Sequence, residues 1–436
     1  MLNTYRNRFN STLFKETFVY TITDVIGKAM SFVLLPIVSF YMTPDELGIA
    51  TNFTVITTLV SLFAGLAVVN SLPYFFYEQE KKENSLMVSN LLLLCSLLCV
   101  VLAVIISVLH QLVSHYLQLP LFAQLLGVVY VVGMLVSQIS LILMRLENRS
   151  HEFARIQVFQ IIFHAISVLF FVITLRGGGL GKIYAETIVF VVMGIIHMVI
   201  IIKKGYLKIH LSSEWIKKLL KFGIPLLPHS VSFWLKSGLD KVFITAYCGL
   251  HYNGLYSMAI SISAVYTMLV QSFFNAYTPH LQKQLSSFDD GGEHEGEKIK
   301  IVKQTYLLFA LFGIVGLFAV AVSWVIFNYL IDNKYLPAMG YMPLIILANF
   351  IYTFYNFTVQ YIYKVKKTLV MGIITFSGSL IQMLLSYWLI STVGVMGAVY
   401  SLLIGNVLIT VGISIYSSHV YSMPWNPLRL LGESGK

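Results

Sequence analysis

Charge is scarce in this chain. Asp, Glu, Lys and Arg together make up 11% of its 436 residues, against 57% hydrophobic. A soluble globule of that length needs a solvated surface that this composition cannot supply, and the mean hydropathy of +0.79 points the same way. Cysteine is almost missing. Cys95 and Cys99 lie one helical turn apart and Cys248 stands alone, so no disulfide framework is implied and the three thiols read as small apolar packing residues. No Cys/His spacing fits a metal: His151-Glu152 is followed by Arg155 where a zinc-protease helix needs a second His. A phosphate loop is missing too. The run from Arg176 to Lys182 has Arg176 in place of the first glycine and Ile183 in place of the hydroxyl residue after the lysine. Long polar segments are lacking, which excludes a separate catalytic domain. We therefore expect no enzyme, no cofactor and no metal.

What the chain does have is about twelve apolar runs of roughly twenty residues, the length of helix that crosses a hydrocarbon core of about 30 Å. They fall at about 17–40, 48–71, 88–110, 121–144, 155–175 and 182–202, then 222–247, 254–277, 301–327, 337–362, 368–390 and 396–418. None alternates as a barrel strand would, and only helices or closed barrels satisfy the backbone in lipid. The expected fold class is an all-α polytopic membrane protein of about twelve transmembrane helices in two six-helix bundles around a central cavity.

The basic residues cluster in alternate gaps. Twenty-three of the 29 Lys and Arg lie at the termini or in even-numbered gaps, whereas the odd gaps hold only Arg176, Lys182 and Lys334. By the positive-inside rule both termini are cytoplasmic and the protein sits in the inner membrane. The net charge of +10 then reports topology and contact with anionic membrane lipid, not nucleic acid. No cleavable signal is expected, because the first apolar run is full length and lacks a small-residue cleavage site.

The longest basic segment divides the chain evenly. We expect an N-terminal six-helix lobe at 1–203, a cytoplasmic amphipathic linker at 204–221 lying on the membrane surface, and a C-terminal lobe with a short cytoplasmic tail at 222–436. Shifting the second half back by 206 positions aligns Tyr41 with Tyr247, Gly48 with Gly254 and Pro73 with Pro279. Two parallel repeats of six helices, with a substrate site between them, would fit this.

Charges inside spans are expensive and tend to face a cavity or a partner. Asp24 and Lys28 stand four apart on one face of the first span, with Tyr20 and Thr21 extending the stripe. Lys236 and Asp240 repeat that spacing in the seventh, with Lys241 about 100° round the helix. Two readings stay open: ion pairs that pin helices together, or a positively lined cavity for an anionic substrate, which the excess of Lys28, Lys236 and Lys241 over Asp24 and Asp240 favours. Glu186 faces either a functional cavity or outer water. His164, His197 and His229 are candidate proton relays or hydrogen-bonded packing residues. Pro225 and Pro228 open the seventh span and permit a bend.

Around that span the sequence is also familiar. Phe222-Gly223-Ile224-Pro225-Leu226-Leu227-Pro228, Asp240-Lys241-Val242-Phe243 and Gly254-Leu255-Tyr256-Ser257-Met258-Ala259 resemble the signature of bacterial oligosaccharide (O-antigen repeat-unit) flippases of the multidrug/oligosaccharidyl-lipid/polysaccharide exporter superfamily. The match continues in Tyr41-Met42-Thr43-Pro44-Asp45-Glu46-Leu47-Gly48 and in Lys334-Tyr335-Leu336-Pro337-Ala338. The resemblance implies two six-helix lobes that open alternately to each side and move undecaprenyl-diphosphate-linked oligosaccharide, O-antigen or exopolysaccharide units, to the outer leaflet. It implies that Lys28, Lys236 and Lys241 bind the diphosphate. Asp24, Asp240 and Glu186 would be charge partners or respond to a coupling ion, Na+ or H+. The family commonly has Arg where this chain has Lys241, which keeps the charge without the bidentate fork. Asn70, Asn275, Asn349, Tyr352, Asn356 and Tyr361 are the amides and aromatics expected to hold sugar. Implied partners are the lipid-linked glycan, membrane lipids, and the glycan polymerase and chain-length proteins of such a lipopolysaccharide pathway. The alternatives are a multidrug/ion antiporter of the same fold, for which an acid-dominated cavity would be expected, and a membrane glycan polymerase, which would need a larger outer loop.

The charge pattern carries its own test. Reporter fusions after about residues 81, 212 and 290 are expected to report cytoplasm, and one after about 250 the outside; an outer-side signal at 212 would overturn the twelve-span topology.

Overall fold

The computed structural model describes residues 2–208, 210–290 and 294–426, and every regular element among them is helical. Eleven of these helices are long and apolar enough to cross a membrane. The twelfth expected span, seventh in order, is present in pieces. Lys436, Arg429 and the rest of the expected tail beyond 426 lie outside the described residues, as does the centre of the acidic loop at 291–293.

Contacts divide the chain into two compact units, Met1–Trp234 with Gly249–Gly254, and Leu235–Cys248 with Leu255–Lys436. In the first, α1 is Leu2–Tyr41, α2 Pro44–Gly65, α3 Lys81–Val108, α4 Leu121–Leu146, α5 Ser150–Leu169, α6 Gly178–Lys203 and α7 Ser213–Gly223. The apolar run expected at 17–40 is thus the membrane part of a 40-residue helix. The second span stops early, at Gly65, because Leu66 and Ala67 both take left-handed backbone with φ of 43° and 54°, a conformation that ends a helix.

The turn from α1 to α2 explains one of the family-like motifs. Thr43 and Glu46 form a capping box: the Glu46 carboxylate accepts from the Thr43 backbone N–H at 2.7 Å, the Thr43 hydroxyl accepts from that of Glu46 at 3.3 Å, and Pro44 opens the helix. The glycine run after Arg176 packs on the same turn. A Cβ at Gly179 would strike the Glu46 carbonyl oxygen, so these glycines serve close approach and not phosphate binding.

Gly48 and Gly254 meet the chain in a reciprocal way. A Cβ on Gly48 would collide with the carbonyl oxygen of Leu250, and one on Gly254 with that of Pro44. Pro44 and Leu250 are themselves 206 positions apart, so one close crossing uses equivalent residues of the proposed repeat twice. Beside it Asn253 donates to Asn52 at 2.8 Å, and Asn52 donates to the Leu117 carbonyl at 2.7 Å, both asparagines being fully buried.

The segment expected as the linker docks on its own unit. Ser85, Ser89 and Asn90 of α3 bind the backbone of 205–212: Ser85 Oγ donates to the Gly205 carbonyl at 2.9 Å, Ser89 Oγ accepts from Lys208 N–H at 2.6 Å, and Asn90 Oδ1 accepts from Ser212 N–H at 2.9 Å. The helix that follows, α7, is amphipathic as its sequence predicts. Its apolar side is protein-covered, with Trp215 and Leu219 buried and Trp215 Nε1 donating to Glu83 at 3.1 Å, while Lys217 and Lys218 stay exposed. The side-chain clamps fix the segment's approach to α3.

The chain then enters α8 (Leu227–Ser237), α9 (Leu239–Cys248), α10 (Leu250–Ser286), α11 (Glu295–Val325), α12 (Met342–Lys364), α13 (Thr368–Val393) and α14 (Val395–Val420). The seventh span is broken twice, by a 3₁₀ turn at Ile224–Leu226 next to Pro225 and Pro228, and at Gly238. Proline removes donors and glycine adds backbone freedom, so the interruption follows from composition. Within the second unit α12, α13 and α14 pack together. Asn406 Nδ2 donates to the Ala348 carbonyl at 2.9 Å, Ser417 Oγ to that of Thr358 at 2.8 Å, and Ser386 and Ser401 hydroxyls pair at 2.7 Å. An aromatic cluster of Tyr266, Phe274, Phe312 and Phe357 joins α10, α11 and α12.

Candidate functional site

The break at Gly238 separates two charges that an unbroken helix would stack. Lys236 ends α8, and its ammonium lies 3.8 Å from the centroid of the Tyr352 ring on α12. That ring is itself stacked on Tyr355, with centroids 4.7 Å apart and planes at 12°. An aromatic face attracts a cation without neutralising it, so the charge stays open to a further partner.

Lys236 borders a cavity of about 230 Å³ in the second unit. Gln271, Asn349, Asn356 and Asn406 line it with amides, and Tyr352 and Thr353 with ring and hydroxyl. No carboxylate is among the lining residues. Gln271 donates to Asn275 at 2.9 Å, and the buried Asn406 Oδ1 has no hydrogen-bond partner among the described residues. A positive charge ringed by amides, hydroxyls and aromatic faces can hold an anionic, hydroxyl-rich molecule.

Asp240 does something else. It is 6% exposed; its Oδ2 accepts from the Tyr256 hydroxyl at 2.6 Å and its Oδ1 from the Lys241 backbone N–H at 2.8 Å. The expected Lys236–Asp240 pair is not formed among the described residues, because the helix interruption turns the two side chains to different partners. Asp240 ties the broken helix to α10. Lys241 is half-buried and lies outside the cavity lining.

In the first unit the Asp24–Lys28 pairing expected from spacing gives way to another. Asp24 Oδ2 lies 3.6 Å from Arg145 at the end of α4, and Lys28, one turn on, is exposed. A bulky guanidinium from a neighbouring helix reaches the carboxylate, where the i, i+4 lysine extends outward. Glu186 pairs with Lys182 at 3.7 Å. His164 is half-buried; His197 is fully buried with neither ring nitrogen partnered; His229 is exposed and meets the Phe233 ring edge-on at 5.2 Å. Asn70 is exposed in the first unit, Asn275 stands outside the cavity lining beside Gln271, and Tyr361 is buried in an apolar cluster. The structure therefore gathers Lys236, Asn349, Tyr352 and Asn356 of the expected set. Sequence reading missed Gln271, Asn406 and Tyr256, ordinary polar residues of spans whose facing is set by tertiary packing, and Arg145, which counted only as a loop charge.

A family model described as polysaccharide biosynthesis protein matches residues 13–284. The chain belongs to that family. Among solved structures, the family member is similar to an inward-facing multidrug resistance MATE family transporter of the MOP superfamily, at 15% identity and a TM-score of 0.71 over 96% of this chain and 98% of that one. It is similar to the lipid II flippase MurJ in an inward closed conformation, at 14% identity and 0.72, over 95% and 89%. A MATE protein in complex with MaD3S shares 17% identity at 0.57, over 97% of each chain. At such identities the likeness establishes the fold. Among curated proteins none matches the chain.

The anchoring role of Asp240 is testable by stability. Tyr256→Phe keeps the ring and removes the donor, leaving a buried carboxylate oxygen unsatisfied, so a loss of about 1–3 kcal/mol is expected. Thermal melting of the detergent-purified protein measures it; an unchanged midpoint would show that Asp240 draws its stabilisation elsewhere.

Proposed function

We propose that this protein is a flippase that carries polyprenyl-diphosphate-linked oligosaccharide from the cytoplasmic to the outer leaflet of a bacterial inner membrane. Three things support the reading: the polysaccharide biosynthesis family, a fold shared with a lipid flippase, and the chemistry of the second-unit cavity. The last carries most weight. A diphosphate-sugar cannot cross hydrocarbon unaided, and a site that replaces its water needs cations for the anion and amides and rings for the sugar. Lys236 with Gln271, Asn349, Asn356 and Tyr352 supplies that set. Lys28 and Lys241 are the further cations proposed to take up phosphate, and O-antigen or exopolysaccharide units the cargo. Translocation by alternating access draws on an ion gradient, Na+ or H+, or on membrane potential, with both termini cytoplasmic, and the polymerase and chain-length proteins act on the product.

The MATE-like fold keeps a multidrug antiporter as the second reading. A cationic drug calls for a carboxylate in its site, and the cavity lining offers a lysine.

Deleting the gene is expected to abolish surface polysaccharide and leave lipid-linked units on the inner leaflet, with glycosyltransferase activity intact in extracts. Complementation with Lys236→Ala should fail by more than tenfold at normal membrane levels, and Lys236→Arg should restore part of the export. Normal surface glycan in a deletion strain lacking a second flippase would contradict the proposal.

A further inference from the structure

Two arginines stand one turn apart where α4 ends, and the structure uses them differently. Arg149 is committed: Nε donates to Glu152 at 2.8 Å and Nη1 to Glu147 at 2.7 Å, and Glu147 also accepts from the Tyr206 hydroxyl at 2.6 Å. Arg145 is not. Its nearest acid, Asp24, is 3.6 Å away, and the two side chains are 46% and 48% exposed. Charge-assisted bonds between such groups run at about 2.7–2.9 Å, so this pair is loose, and an exposed pair contributes little to stability.

The guanidinium is nevertheless held in place. It lies 4.8 Å from the centroid of the fully buried Phe153 ring and 5.8 Å from that of Tyr20, and those two rings meet edge to face at 4.9 Å. Stacking fixes a guanidinium by its face and leaves the N–H edge free, which is the geometry that grips two oxygens of one anion. On α1, Lys28 is exposed one turn beyond Asp24, and the hydroxyl of Tyr20, one turn before it, is buried without a hydrogen-bond partner. A guanidinium held by its face thus meets a carboxylate only at long range, beside a helix that carries a second cation and an unpartnered hydroxyl one turn to either side of that carboxylate.

We infer that Arg145, with Lys28 and the Tyr20 hydroxyl, forms a diphosphate-binding site in the first unit, and that Asp24 is an internal competitor which the incoming diphosphate displaces from the guanidinium. The basic clustering of the α4–α5 gap puts Arg145 on the cytoplasmic side, where a lipid-linked substrate is assembled. The natural ligand follows from the flippase reading; the site itself does not depend on it. A phospholipid headgroup offers the same phosphate chemistry with one phosphorus instead of two.

Binding of inorganic pyrophosphate and of inorganic phosphate to the detergent-purified full chain tests this without transport. Pyrophosphate is expected to bind more tightly than phosphate. Asp24→Asn should tighten it about two- to fivefold, the worth of a surface ion pair. Arg145→Ala should weaken it at least tenfold, Arg145→Lys should fall between, and Lys217→Ala on the exposed face of α7 should change nothing. Asp24→Asn carries the test if Arg145→Ala fails to fold. Unchanged or weaker binding in Asp24→Asn, wild-type binding in Arg145→Ala, or no binding to either protein would overturn the site. Equal affinity for phosphate and pyrophosphate would overturn the diphosphate assignment in favour of a lipid headgroup. A normal glycan phenotype on deletion, with pyrophosphate binding intact, would sink the flippase reading alone.

Discussion

Hydrocarbon offers no hydrogen bonds, so each polar group carried into a span must find a partner inside the protein or face a wet cavity. Much of the architecture answers to that constraint. Asp240 receives the Tyr256 hydroxyl and its neighbour's backbone N–H. Asn253, Asn52 and the Leu117 carbonyl form a chain of donors and acceptors in the first unit. Asn406, Ser417 and the Ser386–Ser401 pair bind α12, α13 and α14 to one another. These contacts fix helix faces where lipid, as apolar as the side chains, gives no hydrophobic drive toward association.

Against that background the groups with spare capacity stand out. Lys236 rests on an aromatic face and not on a carboxylate, and the amides beside it line open space. Keeping a cation in a span without a counter-charge costs about 2.5–3.5 kcal/mol on insertion scales. The arrangement makes sense where a guest supplies the missing negative charge. Asp240 shows the opposite solution a few residues away, a charge fully engaged in holding the fold.

Much of this was legible in the amino-acid order. Apolar run length gave the spans, because backbone satisfaction in lipid leaves helix as the form a run of that length takes. Thr43-Pro44-Asp45-Glu46 is a capping box in sequence as in space, and the 206-residue offset reappears in the crossing of Gly48 and Gly254. Pairing was less legible. Spacing of four predicts a shared face only while the helix stays regular, and Gly238 breaks that premise for Lys236 and Asp240. It also says nothing of a second helix, which is how Arg145 and not Lys28 comes to lie against Asp24. The linker's amphipathic pattern fixed which face is apolar, and the clamps from Ser85, Ser89 and Asn90 decided that protein covers it.

In the proposed function a cationic, amide-lined cavity carries a lipid-linked glycan across the bilayer. Reconstitution into liposomes tests it most directly, with a fluorescent polyprenyl-diphosphate oligosaccharide on one leaflet and its exposure followed by a membrane-impermeant quencher. The account predicts transbilayer movement with the wild-type protein and none above protein-free liposomes with Lys236→Ala. Movement at the wild-type rate in that variant, or movement of a cationic drug but not of the glycan lipid, would contradict it.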